Sequence, residues 1–101
     1  MVFAKQLREG VRRGLITCSV RIWKNPRVKV GGRYRMEEGE ILIESIEEIS
    51  GGEITTDLAI ESGFQSRVDL LKVARHGAGE KVYLVRFRYL TRRLEPNWHT
   101  Y

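Results

Sequence analysis

Residues 16 to 23 alternate strictly between two kinds of side chain, and this pattern constrains the fold more than any other feature of the sequence. One set is apolar and consists of Ile16, Cys18, Val20 and Ile22. The other carries hydroxyl, guanidinium and indole groups and consists of Thr17, Ser19, Arg21 and Trp23. A period of two with β-branched residues predicts a strand whose apolar face lies on a core. The polar face is either the floor of a ligand site or the outer face of an ordinary edge strand.

Other periodic segments predict helices before and after the strands. An amphipathic pattern predicts a helix over residues 2 to 13, which Gly14 ends because glycine readily adopts the left-handed conformation there. Thr55 or Thr56 is a candidate N-cap for one short helix, and a stronger helix begins at Ser66 and stops at Gly77. Strands are predicted over residues 33 to 36, 41 to 49 and 81 to 90. Short strands joined by glycine turns favour a small β-barrel.

Charge is segregated along the chain although the net charge is only +5. Residues 1 to 36 have a balance of +9, residues 37 to 69 a balance of −9 and residues 70 to 101 a balance of +5. The acidic middle either neutralises the basic ends in the folded protein or leaves one basic face and one acidic face. The second arrangement is typical of a nucleic-acid-binding protein that is not uniformly basic.

The strand predicted over residues 16 to 23, with Gly14 before it and the turn after it, resembles the ASCH domain of the PUA-like superfamily. The family pattern G-x-K-x-x-T-x-R aligns with Gly14, Ile16, Ser19 and Arg21, and its "KVGD" turn aligns with Lys29-Val30-Gly31-Gly32. Glu61-Ser62-Gly63-Phe64 is similar to the family's "EGF" stretch, and a hydrophobic strand, residues 82 to 90, closes the domain. The sequence departs from the pattern in three places, where Ile16 replaces a lysine, Ser19 a threonine and Gly32 an aspartate.

The resemblance implies an α+β fold, a PUA-like mixed β-barrel of about five strands with an N-terminal helix and one or two helices before the last strand. It implies a domain over residues 1 to 90, and we expect residues 91 to 101 to be flexible unless Trp98 docks. Together with the basic segments it predicts a module that binds RNA or a nucleotide-like ligand. Ser19 and Arg21 would form the pocket floor, and Trp23 or Tyr34 would stack on a base. The phosphate-facing rim would consist of Lys24, Arg27, Lys29, Arg33 and Arg35.

An enzymatic alternative follows from the same resemblance, because some ASCH proteins are similar to amidohydrolases of acylated nucleosides and other members of the superfamily are proposed to cleave RNA. The catalytic positions of such a hydrolase align with Ile16, Ser19 and Glu61. Isoleucine cannot stabilise a developing oxyanion, so we expect little or no amidohydrolase activity. A third possibility is a protein-binding domain in which Trp98 and Tyr101 become ordered against a partner.

Several classes of function are disfavoured by what the sequence lacks. A single cysteine, Cys18, cannot form an internal disulfide, and it has no zinc-type spacing to His76 or His99. The glycine pairs lack the lysine and helix start of a phosphate-binding loop. We therefore expect no metal and no cofactor. Because the chain has a single cysteine and no long apolar run, we expect a cytoplasmic protein that does not contact a membrane. We expect a monomer by default.

Overall fold

The computed structural model describes residues 3–74 and 81–91. It contains helices and strands in the order predicted from the sequence. The helices are α1 (Lys5–Arg12), α2 (Thr56–Glu61) and α3 (Arg67–Ala74), and a 3₁₀ turn spans Gly51–Glu53. The strands are β1 (Cys18–Trp23), β2 (Arg33–Met36), β3 (Gly39–Ile49) and β4 (Lys81–Leu90). The predicted helix stop at Gly77, and the candidate residues His76, Trp98, His99 and Tyr101, lie outside the described residues.

The four strands form one curled antiparallel sheet in the order β1-β4-β3-β2. The last strand therefore lies between β1 and β3, with Ser19 opposite Val85 and Ile43 opposite Phe87. A register shift between Ile43 and Ser45 interrupts the pairing of β3 with β4. The α+β class is confirmed. Within the described residues the sheet is a four-stranded half-barrel, and the predicted five-stranded mixed barrel is not confirmed because every strand pair there is antiparallel.

Apolar side chains cover both faces of this sheet. The first, here called the α1 face, packs beneath α1 and the residues before it; its buried members are Phe3, Val11, Trp23, Val28, Met36, Ile41, Ile43, Tyr83, Val85 and Phe87. The second, the α2–α3 face, packs beneath α2 and α3; its buried members are Cys18, Val20, Ile49, Ile54, Leu58, Ala59, Leu70 and Leu84. Because successive residues of a strand point to opposite faces, β1 contributes to both clusters. Both faces of β1 are therefore covered, and neither is an open floor.

Local sequence signals explain where the helices begin and end. Gly14 has a φ of +75°, the left-handed conformation expected just after α1. Thr55 caps α2, since its Oγ1 accepts a hydrogen bond of 3.1 Å from the backbone N–H of Leu58. Before α3, Ser66 Oγ accepts at 3.2 Å from the backbone N–H of Asp69. Of the two candidate caps Thr55 and Thr56, the structure uses Thr55, and the predicted stop at Gly14 is confirmed. The helix predicted to begin at Ser66 begins at Arg67.

Candidate nucleic-acid interface

The loop between β1 and β2, residues 24–32, is held against the sheet by one buried side chain and by backbone hydrogen bonds. Val28 belongs to the core of the α1 face. The backbone N–H of Gly31 donates to Ile43 O at 2.8 Å, and Ile43 donates in return to Gly32 O at 3.0 Å. The loop therefore has a defined path beside β3, which fixes the positions of its polar residues.

Gly32 stands where the ASCH pattern has an aspartate, and the packing at this position favours glycine. A Cβ there would lie 2.7 Å from Tyr34 Oη and 2.9 Å from the backbone oxygen of Lys29. The Tyr34 hydroxyl is itself fixed, because it accepts a hydrogen bond of 3.1 Å from Lys29 N–H. The close packing of this turn thus favours glycine at position 32, where the ASCH pattern has an aspartate.

Five basic residues of the loop and of β2 form the surface that we call the basic edge. They are Lys24, Arg27, Lys29, Arg33 and Arg35. All five are exposed, and none forms an ion pair with another residue of the described segments 3–74 and 81–91. Arg33 and Arg35 share a face of β2, an edge strand of the sheet. The basic edge therefore runs from the end of β1, along the loop, to β2.

The arginines within α1 and β4 are in a different situation, because each has a glutamate of the acidic middle segment beside it. The pairs are Arg8 with Glu37 at 3.8 Å, Arg12 with Glu38 at 2.6 Å, Arg86 with Glu61 at 3.3 Å and Arg88 with Glu44 at 3.6 Å. The acidic segment thus neutralises basic residues from both ends of the chain. No residue of the basic edge takes part in these four ion pairs.

An open groove of about 270 Å³ lies where the basic edge meets the β2–β3 hairpin. Its lining residues are Arg33, Arg35, Glu38, Gly39 and Glu40. Arg35 lies directly opposite Glu40 in the β2–β3 register. Sequence reasoning missed the three residues that the hairpin contributes to the groove. The sequence signal that could have indicated them is the acidic turn Glu37-Glu38-Gly39, which closely follows Arg33 and Arg35.

Ser19 and Arg21, the predicted pocket floor, lie on the α1 face. Arg21 Nε donates to Ser19 Oγ at 2.7 Å, and the Arg21 guanidinium carbon lies 5.0 Å from the centre of the Phe3 ring. Ser19 is 9% exposed, and burial lowers the pKa of Arg21 below its usual value. Strands β4 and β3 separate β1 from β2 in the sheet. The predicted floor on β1 and the two arginines of β2 are thus on strands at opposite edges of the sheet.

The two aromatic candidates for base stacking differ in accessibility. Trp23 is 9% exposed and lies in the core, with its ring centre 6.0 Å from that of Tyr83. Tyr34 is half-buried on β2, between the two exposed arginines of the basic edge. Because neighbouring residues of a strand point to opposite faces, Tyr34 points away from the face of Arg33 and Arg35 and packs against the core of the α1 face.

The candidate catalytic residues Ser19 and Glu61 lie on opposite faces of the sheet. The Ser19 side chain is on the α1 face with Arg21, whereas Glu61 Oε2 lies 3.3 Å from Arg86 Nη1 and 4.0 Å from Cys18 Sγ on the other face. Ile16, at the position of the family lysine, packs against the core of the α1 face. The structure does not bring these three side chains to one site.

Comparison of the chain with protein-family models, with curated proteins and with solved structures finds no match in any of the three. Within the described segments, no group of three His, Cys, Asp or Glu side chains is arranged to hold a metal ion. Each helix in that part of the chain is too short or too polar to span a membrane.

Proposed function

We propose that this protein is a PUA-like, ASCH-type module that binds single-stranded RNA, with the basic edge in contact with the sugar-phosphate backbone. One observation carries the proposal. The arginines within α1 and β4 are paired with glutamates, whereas the five exposed cations of the basic edge have no carboxylate within ion-pair distance in the described segments. Exposed cations without a neighbouring carboxylate create a positive potential that attracts a polyanion.

The geometry of β2 suits contacts with successive phosphates of one nucleic-acid strand. Residues two apart in a strand lie on one face at a separation of about 6.6 Å, given a rise of about 3.3 Å per residue. This spacing of Arg33 and Arg35 is comparable to that of successive phosphates along one nucleic-acid strand. Arginine forks bind phosphate oxygens in a bidentate manner, so each could hold one phosphate.

The test is the affinity of a short fluorescent single-stranded RNA, measured by anisotropy at fixed salt. The double variant Arg33→Gln/Arg35→Gln should bind about tenfold more weakly, because two exposed ion pairs contribute roughly 1.4 kcal/mol together. The matched control is Lys5→Gln/Arg13→Gln, which removes two exposed positive charges outside the basic edge. Equal weakening by both double variants would contradict the proposal, since the effect would then depend on net charge alone.

The hydrolase alternative is not proposed. Ser19 and Glu61 are on opposite faces of the sheet, and a general acid or base must come within hydrogen-bond reach of the reacting group. Ile16 adds no cation to either face.

A further inference from the structure

The groove at the end of the basic edge contains equal numbers of positive and negative side chains. Arg33 and Arg35 line one side, and Glu38 and Glu40 come from the β2–β3 hairpin. By formal charge the four side chains cancel, so the groove by itself would not attract an anion. A third cation that does not line the groove changes this balance.

Arg12, in the last turn of α1, binds the Glu38 carboxylate through Nε and Nη2, while its Nη1 lies 3.2 Å from Glu9 Oε1. Arg12 Nη2 donates to Glu38 Oε2 at 2.6 Å, and Nε lies 3.0 Å from Oε1 and 3.2 Å from Oε2. This hydrogen bonding, together with the charge of Glu38, raises the pKa of the Arg12 guanidinium above its usual value. Both side chains are partly shielded, with 35% and 28% of their surface exposed. A carboxylate bound in this way is turned toward α1, and its charge is offset on that side.

We propose that the groove binds the two successive phosphate groups of the RNA strand that Arg33 and Arg35 hold, and that Arg12 makes this possible by holding Glu38 away from these two arginines. With Glu38 offset, Glu40 is the other carboxylate among the side chains that line the groove. Arg12 is thus a positioning residue, because it acts on the phosphates through Glu38. This inference rests on the proposed function and names one subsite of the same surface.

The experiment is a double-mutant cycle on RNA affinity, with the same fluorescent oligonucleotide. Arg12→Gln removes the positive charge that offsets Glu38 and should weaken binding about fivefold more than Arg13→Gln, a substitution of the neighbouring exposed arginine. In the double variant Arg12→Gln/Glu38→Gln the affinity should return to that of Arg13→Gln. A purely structural role of the ion pair would not give this rescue, because the pair is absent in the double variant as well.

Glu38→Gln alone provides a second measurement that does not depend on the stability of the Arg12 variant. It removes a negative charge from the groove and should leave the affinity equal or higher. Weaker binding by Glu38→Gln, or equal effects of Arg12→Gln and Arg13→Gln, would overturn the inference while leaving RNA binding itself established. Failure of the unsubstituted protein to bind RNA would contradict the proposed function instead.

Discussion

At the scale of single residues, arginines that look equivalent in the sequence occupy three different environments. Arg12 is bound by Glu38, Arg33 is exposed beside the groove, and Arg21 is partly buried against Phe3 with its Nε bound to Ser19. The alternation in residues 16 to 23 correctly predicts that Ser19 and Arg21 share a face. It cannot predict that Phe3, which precedes α1, packs over that face. The predicted pocket floor is therefore largely enclosed by residues distant in sequence.

Cys18 gives a prediction about pH. The thiol is 0% exposed, and burial raises its pKa, with the nearby Glu61 charge acting in the same direction. The unfolded chain therefore loses this proton at a lower pH than the folded protein does. Stability from this group is complete below the unfolded pKa of about 8.5 and is lost as the pH rises toward the folded value.

Urea unfolding between pH 7 and pH 10 would measure this effect. The free energy of unfolding should fall less with rising pH in Cys18→Ala than in the unsubstituted protein, although the variant is less stable at pH 7 because a buried side chain is truncated. Identical pH dependence in the two proteins would show that the thiol does not contribute.

At the scale of secondary structure, the β2–β3 hairpin links α1 to the basic edge. Its turn residues, Glu37 and Glu38, lie near Arg8 and Arg12 of α1. The sequence predicts a hairpin at Glu37-Glu38-Gly39 because two short β-prone segments flank a glycine. The ion pairs to α1 were not predictable, since charge patterning shows which segments attract each other but not which side chains meet.

Glu37 in this turn has a φ of 55°, a left-handed conformation that favours glycine. Glu37→Gly should therefore stabilise the protein. The expected gain over Glu37→Gln is about 1 kcal/mol, because the control loses the same 3.8 Å pair with Arg8 but keeps a side chain in the strained conformation. Thermal and urea unfolding of the two variants would measure the difference. Equal stability would mean that the turn changes conformation to suit the residue at position 37.

At the scale of the whole molecule, the sequence predicts the class, the order of elements and several of their ends. It does not predict that β4 inserts between β1 and β3. Periodicity specifies which residues of a strand share a face, but it carries no information about which strand lies alongside. Ser19 and Arg33 are close in sequence and were predicted to belong to one pocket, yet β4 and β3 separate their strands. The basic edge is predictable because it comes from one continuous segment.

The two interpretations of the charge pattern therefore apply to different parts of the surface. Glutamates of residues 37 to 69 pair with Arg8 and Arg12 near the N-terminus and with Arg86 and Arg88 in β4. The basic edge is left with its charge exposed. A molecule of net charge +5 thus carries exposed positive charge on the loop after β1 and on β2. Association with RNA should consequently depend on local charge far more than on net charge.

The number of cations in the basic edge sets the expected salt dependence of RNA binding. If all five cations of the basic edge contact phosphates, a plot of log K against log salt should have a slope of about −3.5, at about −0.7 per contact with a single strand. Arg33→Gln/Arg35→Gln should make the slope less negative by about 1.4, since two contacts are lost. Lys5→Gln/Arg13→Gln has the same net charge and should keep the original slope. A slope near zero for the unsubstituted protein, or equal changes in the two variants, would mean that the basic edge does not contact phosphates.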